Sequence, residues 1–354
     1  MRLAYFGQIS GAPNSGVLHK VQGQTAQWSR QGHDVRLFLL TRDDPSHWAA
    51  VFPGAFVRQY TDALSRFRAM AELVRAVRSY HPDLIYHRYF AFYPTVLMLP
   101  HGTPIVVEVN TDDPKEYALT GVFRSTYNAA TRGFVLGRAR ALVFVTNELS
   151  DSPSFERFGG KHVVITNGID LSEYPELPAP AGDPPRLVFV GSPGQPWQGF
   201  DKVVRLAALR PDWQFDMVGT SAEGSSPENV TWHGPLQRAQ VLDVLAGADV
   251  AIGQLGLHRK DMHENSTLKN REYLAVGLPI LYAHRDPDAD DLGPGVLRIA
   301  NAETNVEDEI DRISDFVVAS RGRRIPREAI AHLDYSAKEA QRLSLFEEVL
   351  SGGR

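Results

Sequence analysis

The chain has 354 residues, 43% of them hydrophobic and 22% charged, with a formal net charge of -5. That length accommodates two domains, and the composition is that of a folded globular protein. The small negative charge argues against a general nucleic-acid binder, which carries a basic face. The sequence contains no cysteine, which excludes disulfides, thiolate nucleophiles and cysteine metal sites and suits a reducing cytoplasm.

Only Arg2 separates Met1 from the apolar stretch 3–6, too short a run and without the cleavage site of a secretion signal. No apolar run approaches the roughly 20 residues that span a bilayer. Residues 3–6 read as a buried strand, followed by a loop of small residues up to Gly16, a helix from about 17 to 30 stopped by Gly32, and a strand over 35–40. Strand, glycine loop, helix, strand is the opening of a parallel doubly wound sheet. A helix near 64–80 carries Leu64, Phe67, Met70, Val74 and Val77 at helical spacing, with Arg66, Arg68, Arg75 and Arg78 between them. This is the pattern of a helix packed on a sheet; peripheral contact with an anionic membrane is the second reading of the same stripe. Strands at 84–86, 105–109 and 141–145 continue the scheme, with one helix from roughly 124 to 138.

A strand over 163–165 leads to Asn167-Gly168-Ile169-Asp170, and the polar, proline-rich stretch 175–185 reads as an interdomain linker. The scheme then restarts. A strand over 187–190 is followed by a loop over 191–199, a helix over 201–209, and a strand over 215–218 ending at Gly219. Short strands around Val230 and over 250–252 flank a helix from about 238 to 246. The expected organisation is an N-terminal Rossmann-like domain over 1–174, a second over 186–334, and a helical tail over 335–354 returning to the first.

The most informative stretch is 263–280, His-Glu-Asn-Ser-Thr-Leu-Lys-Asn-Arg-Glu-Tyr-Leu-Ala-Val-Gly-Leu-Pro-Ile. Asn265, Ser266 or Thr267 can cap a helix that Gly277 stops, which puts Glu264 in the loop ahead of it and Glu272 about one and a half turns inside. The start of such a helix offers free N–H groups and a positive dipole end to an anion such as a diphosphate. One terminus contributes about 0.3–2 kcal/mol, enough to orient a phosphate but not to bind it alone. A carboxylate at Glu272 can accept hydrogen bonds from both hydroxyls of a ribose, and Glu264 can do the same for a hexose.

Two glutamates seven residues apart, the second followed by Tyr-Leu-Ala-x-Gly-x-Pro-Ile, resemble the signature of the retaining GT-B glycosyltransferases of family four. The Gly16 loop, Gln31-Gly32-His33-Asp34-Val35, Asn167-Gly168-Ile169-Asp170, Val190-Gly191 and Val230-Thr231-Trp232-His233-Gly234 fit the same family in order. The resemblance implies an α/β GT-B fold, two Rossmann-like doubly wound domains facing across a cleft. It further implies metal-independent transfer of a sugar from a UDP- or GDP-linked donor, with retention, to a glycan, lipid-linked or small-molecule acceptor. No cofactor beyond the nucleotide sugar is implied, and the location is cytoplasmic, with membrane contact at most peripheral.

Carried onto this sequence, the resemblance assigns the ribose to Glu272, the transferred sugar to Glu264, and close approach of the diphosphate to Gly16. Amides near Ser266, Thr267 and Leu268 meet the phosphates from the other side, and the base rests near Gly219 and Trp232 to Gly234. The family carries an arginine soon after the Val-Gly of the second domain and a lysine before a later glycine; here those positions are Ser192 and Gln198. With Gly191, both stay on the donor side, but their charge must come from elsewhere. Lys269 is the first candidate, and Lys202, Arg259, Lys260 and Arg271 are the reserves. Arg88 and Asn110 follow first-domain strands and are expected on the acceptor side; Asn110 stands where many relatives have a histidine.

Competing readings are less demanding. Glu272 can be a surface glutamate paired with an arginine, and Lys269 a solvated helix lysine. Asp286-Pro287-Asp288 is expected to lie in a solvated acidic loop rather than on a metal. His263-Glu264 lacks the second histidine, at the position of Thr267, that a zinc-protease helix needs. A nucleotide-sugar epimerase or phosphorylase, and a non-catalytic nucleotide-sugar-binding subunit, are the alternatives on the same fold. No Gly-x-Gly-x-x-Gly supports an oxidoreductase.

Overall fold

The structure, a computed structural model, describes residues 1–9, 16–118, 120–221 and 226–352, the side chains of residues 47 and 49 excepted. The chain divides into two compact units, Met1–Thr166 with Tyr335–Arg354, and Asn167–Asp334.

The first unit is built on strands β1 (Arg2–Gln8), β2 (Asp34–Thr41), β3 (Phe56–Gln59), β4 (Leu84–Arg88), β5 (Ile105–Val109), β6 (Ala139–Phe144) and β7 (Lys161–Val164). They form one parallel sheet in the order β3-β2-β1-β4-β5-β6-β7. Helix Gly16–Arg30 connects β1 to β2 and buries Leu18, Val21 and Trp28. Helix Ala63–Tyr80 opens on a capping box between Asp62 and Ser65 and ends at His81, held at φ 49°. Met70, Leu73, Val74 and Val77 of this helix are buried, whereas Leu64 and Phe67 at its start are exposed. In place of one helix over 124–138 there are two, Val122–Thr131 and Gly133–Leu136. They meet at Arg132, whose guanidinium turns inward onto the Asp113 carboxylate at 2.7 and 2.8 Å.

Helix Tyr335–Ser351 packs in this unit. Phe346 lies 5.3 Å from the ring of Trp28 and 5.6 Å from that of Tyr86, and the Trp28 indole donates to Glu339 at 2.7 Å. A Cβ on Gly23 would sit 2.0 Å from the Tyr335 ring, so the close approach of the two helices requires glycine there.

The second unit holds β8 (Arg186–Val190), β9 (Gln214–Val218), β10 (Val230–Gly234), β11 (Val250–Ile252), β12 (Ile280–Tyr282) and β13 (Val296–Arg298). These are parallel in the order β10-β9-β8-β11-β12-β13. The unit begins at Asn167, so residues 167–174, which the sequence places with the first domain, lie in the second. The expected linker is no free tether either. Leu177 packs on the core of the second unit and donates its N–H to Val276. Arg324 holds the carbonyls of Leu177 and Pro178, and Arg321 that of Gly182. Composition reads 175–185 as an interdomain linker, but the stretch lies inside the second unit, where two arginines remote in sequence bind its carbonyls.

Among the described residues no helix is long and apolar enough to cross a membrane.

Candidate functional site

In each sheet the strand order reverses once, between β1 and β4 and between β8 and β11. Ligands of open parallel sheets bind beyond the C-terminal strand ends at such reversals.

In the second unit, Gly191 follows β8 and donates its N–H to Val218. A Cβ on Gly191 would fall 2.6 Å from Gln198 Oε1, so glycine lets the loop fold back and seat that side chain. Gly219, at φ 91°, is as constrained: a Cβ there would lie 2.1 Å from the Gly191 carbonyl. The buried Gln198 amide thereby meets helix Leu268–Ala275, and Lys269 Nζ donates to its Oε1 at 2.5 Å. The same ammonium lies 4.0 Å over the Phe189 ring. Burial pushes the Lys269 amine down to about 7, partly offset by Glu272 one turn along. Burial raises the Glu272 carboxyl to about 7, against the pull of Arg238, a hydrogen bond from Tyr174, and Lys269.

The helix carrying both is fixed at its start. Thr267 is the N-cap and accepts the Asn270 N–H at 3.3 Å, while the Tyr273 hydroxyl accepts the Val190 N–H at 2.7 Å. Asp286 is fully buried and takes both Nη groups of Arg271 at 2.8 Å. The acidic stretch 286–291 was expected in solvent; instead Asp286 is a buried counter-ion, because Arg271 beneath the helix demands one.

Several expected donor residues are engaged elsewhere. Ser266 Oγ accepts from the Asn167 N–H at 2.9 Å and from Arg271 at 2.8 Å, so this hydroxyl ties Asn167 down, whereas the phosphate role was expected of the backbone amides here. Lys202 is fully buried, and its ammonium donates to the carbonyls of Ala302 and Glu303 and to Asn305. That commitment corrects its placing on the donor. Of the reserve cations, Arg271 is buried on Asp286, and Arg259 is clamped between Asp201 and Glu303. Lys260 stacks 4.4 Å over Trp197. Glu264, in the loop ahead of the helix, is 3% exposed and forms an isolated β-bridge with Arg285.

Trp232 donates to Ser226 at 3.0 Å and lines, with Phe200, Thr220 and Arg259, a cleft of about 510 Å³. The Gly234 carbonyl accepts the Gly219 N–H at 2.8 Å. Gly16 is the first residue of its helix, and the loop 10–15 before it lies outside the described residues.

In the first unit the reversal is occupied by charge. Glu108 on β5 is fully buried and receives Lys20 at 2.9 Å, Arg88 at 3.1 Å, Asn110 at 3.2 Å and Gln24 at 3.3 Å, with Arg342 at 3.9 Å. Burial pushes this carboxyl up, yet the three cations prevail and hold it well below the usual carboxylate range. Burial lowers Lys20 to about 8 against the pull of Glu108. Arg88 and Asn110, the two residues expected on the acceptor side, are thus members of one ion network.

Residues 21–173 match the family model described as Glycosyltransferase Family 4. The fold is that of the GT-B glycosyltransferases. It is similar to sucrose-phosphate synthase from Thermosynechococcus elongatus, at 16% identity and a TM-score of 0.70, over 99% of this chain and 100% of that one. It is similar also to HepE of Anabaena in complex with UDP and glucose, at 15% identity and a TM-score of 0.67, over 98% and 100% of the two chains. A glycosyltransferase from Rickettsia africae aligns at 12% identity and a TM-score of 0.66, over 99% of each chain. No curated protein sequence matches the chain.

Within this GT-B frame, sequence reasoning missed Lys20, Arg342, Tyr174 and Arg238, and gave Glu108 no role. Lys20 and Arg342 sit in helices whose other residues read as amphipathic surface, and their partner is remote in the chain. A glutamate inside the otherwise apolar strand Ile105–Val109 was the one available signal, because a buried acid needs counter-charges.

Proposed function

We propose that this GT-B protein is a retaining glycosyltransferase that takes a sugar from a nucleoside diphosphate, UDP or GDP, and passes it to a glycan, lipid-linked or small-molecule acceptor. The observation that carries the reading is Lys269. Its ammonium stands at the C-terminal edge of the second sheet, on the side chain of Gln198, where the resembling family has a lysine of its own. Among the described residues no carboxylate forms a salt bridge with it; its hydrogen-bond partner is an amide oxygen. A cation left with so weak a partner in a desolvated place is stabilised by an arriving anion.

In this reading the diphosphate binds against Lys269 and the start of helix Leu268–Ala275, with Gly191 and Ser192 close by. Glu272 accepts from the ribose hydroxyls, Glu264 from hydroxyls of the sugar, and the base rests near Gly219, Trp232 and Gly234. As the bond from the anomeric carbon to the diphosphate oxygen breaks, negative charge grows on that oxygen. A protonated Lys269 meets it there, the electrostatic contribution that commonly outweighs others in such sites. The acceptor hydroxyl attacks from the same face and gives its proton to the departing diphosphate. HepE, solved with UDP and glucose, supports the choice of donor class.

Calorimetric titration with UDP and GDP tests the site. One of the two binds the wild-type protein, and Lys269→Gln weakens it about tenfold, the scale of one hydrogen bond to a charged group. Equal affinity in the variant would remove Lys269 from the phosphate. A coupled assay for diphosphate release from UDP- and GDP-sugars, with and without acceptor, separates transfer from epimerisation, which needs no acceptor.

A further inference from the structure

Helix Val122–Thr131 of the first unit is turned inside out. Among its residues only Asn128 is buried, and its amide donates to the Asp113 carboxylate at 2.6 Å. Val122 and Phe123, at its start, are 84% and 85% exposed, and Tyr127 one turn on is also open. A surface helix ordinarily buries its apolar stripe and shows its polar one. Here a polar side chain is the anchor and the apolar residues face out. Such an inversion marks a surface kept for a partner.

The apolar patch extends beyond this helix through a chain of contacts. The Tyr127 hydroxyl donates to the Phe92 carbonyl at 3.2 Å, and the Phe92 ring lies 5.3 Å from that of exposed Phe134. Next to Phe92, the Tyr93 hydroxyl donates to the Ala63 carbonyl, and its ring lies 6.4 Å from that of exposed Phe67. Leu64, one turn before Phe67, is exposed as well. Leu97 and Met98 follow in the turn Pro94–Met98, also exposed. Arg138 fixes that turn by donating to the carbonyls of Val96 and Leu97 at 3.1 and 3.3 Å. Three stretches of chain thus meet at Phe92 and Tyr93 and leave their apolar side chains outside.

The surroundings of the patch are positive. Helices Ala63–Tyr80 and Val122–Thr131 together hold five arginines and one acid, Glu72, which Arg58 already takes. Asp62, ahead of the first helix, is spent as its cap. Arg68, Arg75, Arg78 and Arg124 are exposed and form no salt bridge among the described residues. Burial, Glu116 and Asp113 raise the Tyr117 phenol, and Arg66 and Arg124 both act against them, so cations from the two helices flank one ring. A second copy of the chain is a poor occupant, because a symmetric contact would set these arginines against their own copies. We propose that the first unit docks on an anionic lipid bilayer through this patch. Val122, Phe123, Leu64 and Phe67 enter the boundary between headgroups and acyl chains, and Arg68, Arg75, Arg78 and Arg124 meet the lipid phosphates. Each signal is weak by itself, and the two together hold a protein at a membrane reversibly. Met70, Val74 and Val77 take no part, since they are buried on the sheet.

The test is sedimentation of the full-length protein with vesicles of phosphatidylcholine alone, or of phosphatidylcholine and phosphatidylglycerol in equal parts. Docking needs no nucleotide, so it is measured apart from the donor site. The wild type is expected to sediment with the mixed vesicles and to be released by added salt, which screens the arginines. Val122→Ser with Phe123→Ser lowers the partition coefficient by about tenfold, the scale of withdrawing one large apolar side chain from an apolar place. Arg75→Gln with Arg78→Gln lowers it by about fivefold per arginine on the mixed vesicles. All four side chains are exposed, so thermal melts of both variants should match the wild type; Phe67→Ser and Arg124→Gln replace a variant that melts early. A wild type that stays in the supernatant with mixed vesicles overturns the proposal, as does binding indifferent to both kinds of substitution. Equal binding to the two vesicle types removes the anionic lipid and overturns it as well. So does a dimer in sedimentation equilibrium that Val122→Ser with Phe123→Ser dissolves, which would give the patch to a second copy.

Discussion

The two strand-order reversals solve the problem of buried charge in opposite ways. At the first, Glu108 collects three cations and two amides, and its carboxyl is driven well below the normal range. At the second, Lys269 and Glu272 lie one turn apart with an amide and a phenol for hydrogen-bond partners, and both titrate near neutrality. Glu108, with three cations around it, stays ionised over the physiological range. A pair left half-desolvated, without good counter-ions, is unstable until something supplies them, and such groups concentrate at working sites. The contrast teaches that the first reversal is a preset surface and the second a responsive one.

The comparison breaks most visibly through Glu108. Glu108→Ala strands Lys20, Arg88 and Arg342 in a buried place, and the unfolding of the first unit in urea should lose about 3–5 kcal/mol. Little change would show that water reaches the cluster and that its pairing is not structural. Next in size, Glu272→Ala should weaken nucleotide binding by about 1.5–3 kcal/mol in calorimetry. Glu264→Ala should leave that affinity nearly intact and lower kcat, because it serves the sugar.

The pH dependence sharpens the contrast. Lys269 carries its proton below about pH 7, and Glu272 is ionised above about pH 7. A nucleotide that needs the ammonium and the carboxylate together is bound best near pH 7. Affinity falls toward tenfold per pH unit on either side. Lys269→Gln should flatten the alkaline limb and Glu272→Gln the acid limb; a profile unaltered by either variant would falsify the assignment of those limbs.

The smallest effect concerns stability. Because Lys269 binds its proton less tightly in the folded state than its ordinary value of 10.5, the unfolded chain holds more protons between about pH 7 and 10.5. Its penalty is therefore full below pH 7 and fades as pH rises. Lys269→Met should raise the Tm of the second unit by about 2–4 °C at pH 6, the shift produced by about 1 kcal/mol in a unit of this size, and by less at pH 10.

Much of the architecture was legible. Glycine loops after apolar strands marked both halves, and the periodicity of Met70, Val74 and Val77 marked a helix on the sheet. The start of helix Leu268–Ala275 was readable because Thr267 is a capping residue and Gly277 a stop. What failed was anything decided by partners distant in the chain. Lys202 looks like a free lysine in the first turn of a helix, and only the carbonyls of Ala302 and Glu303 reveal it as buried. The Ser266 hydroxyl looks free until Asn167 and Arg271 take it. The proline-rich strap reads as a tether because its anchors, Arg321 and Arg324, lie about 140 residues away. Lys269 is another such case: nothing local distinguishes it from a solvated lysine, and only Gln198, remote in the chain, shows its ammonium in a desolvated place.

The last helix has a consequence for how the protein is made. Leu343, Leu345 and Phe346 belong to the same apolar cluster as Leu3, Tyr5 and Trp28, so a segment translated before Asn167–Asp334 is completed by one translated after it. A ribosome releases the whole of Asn167–Asp334 before that cluster can close. The unit begun first is finished second, and during the interval its indole and tyrosine rings are open to whatever attends a nascent chain.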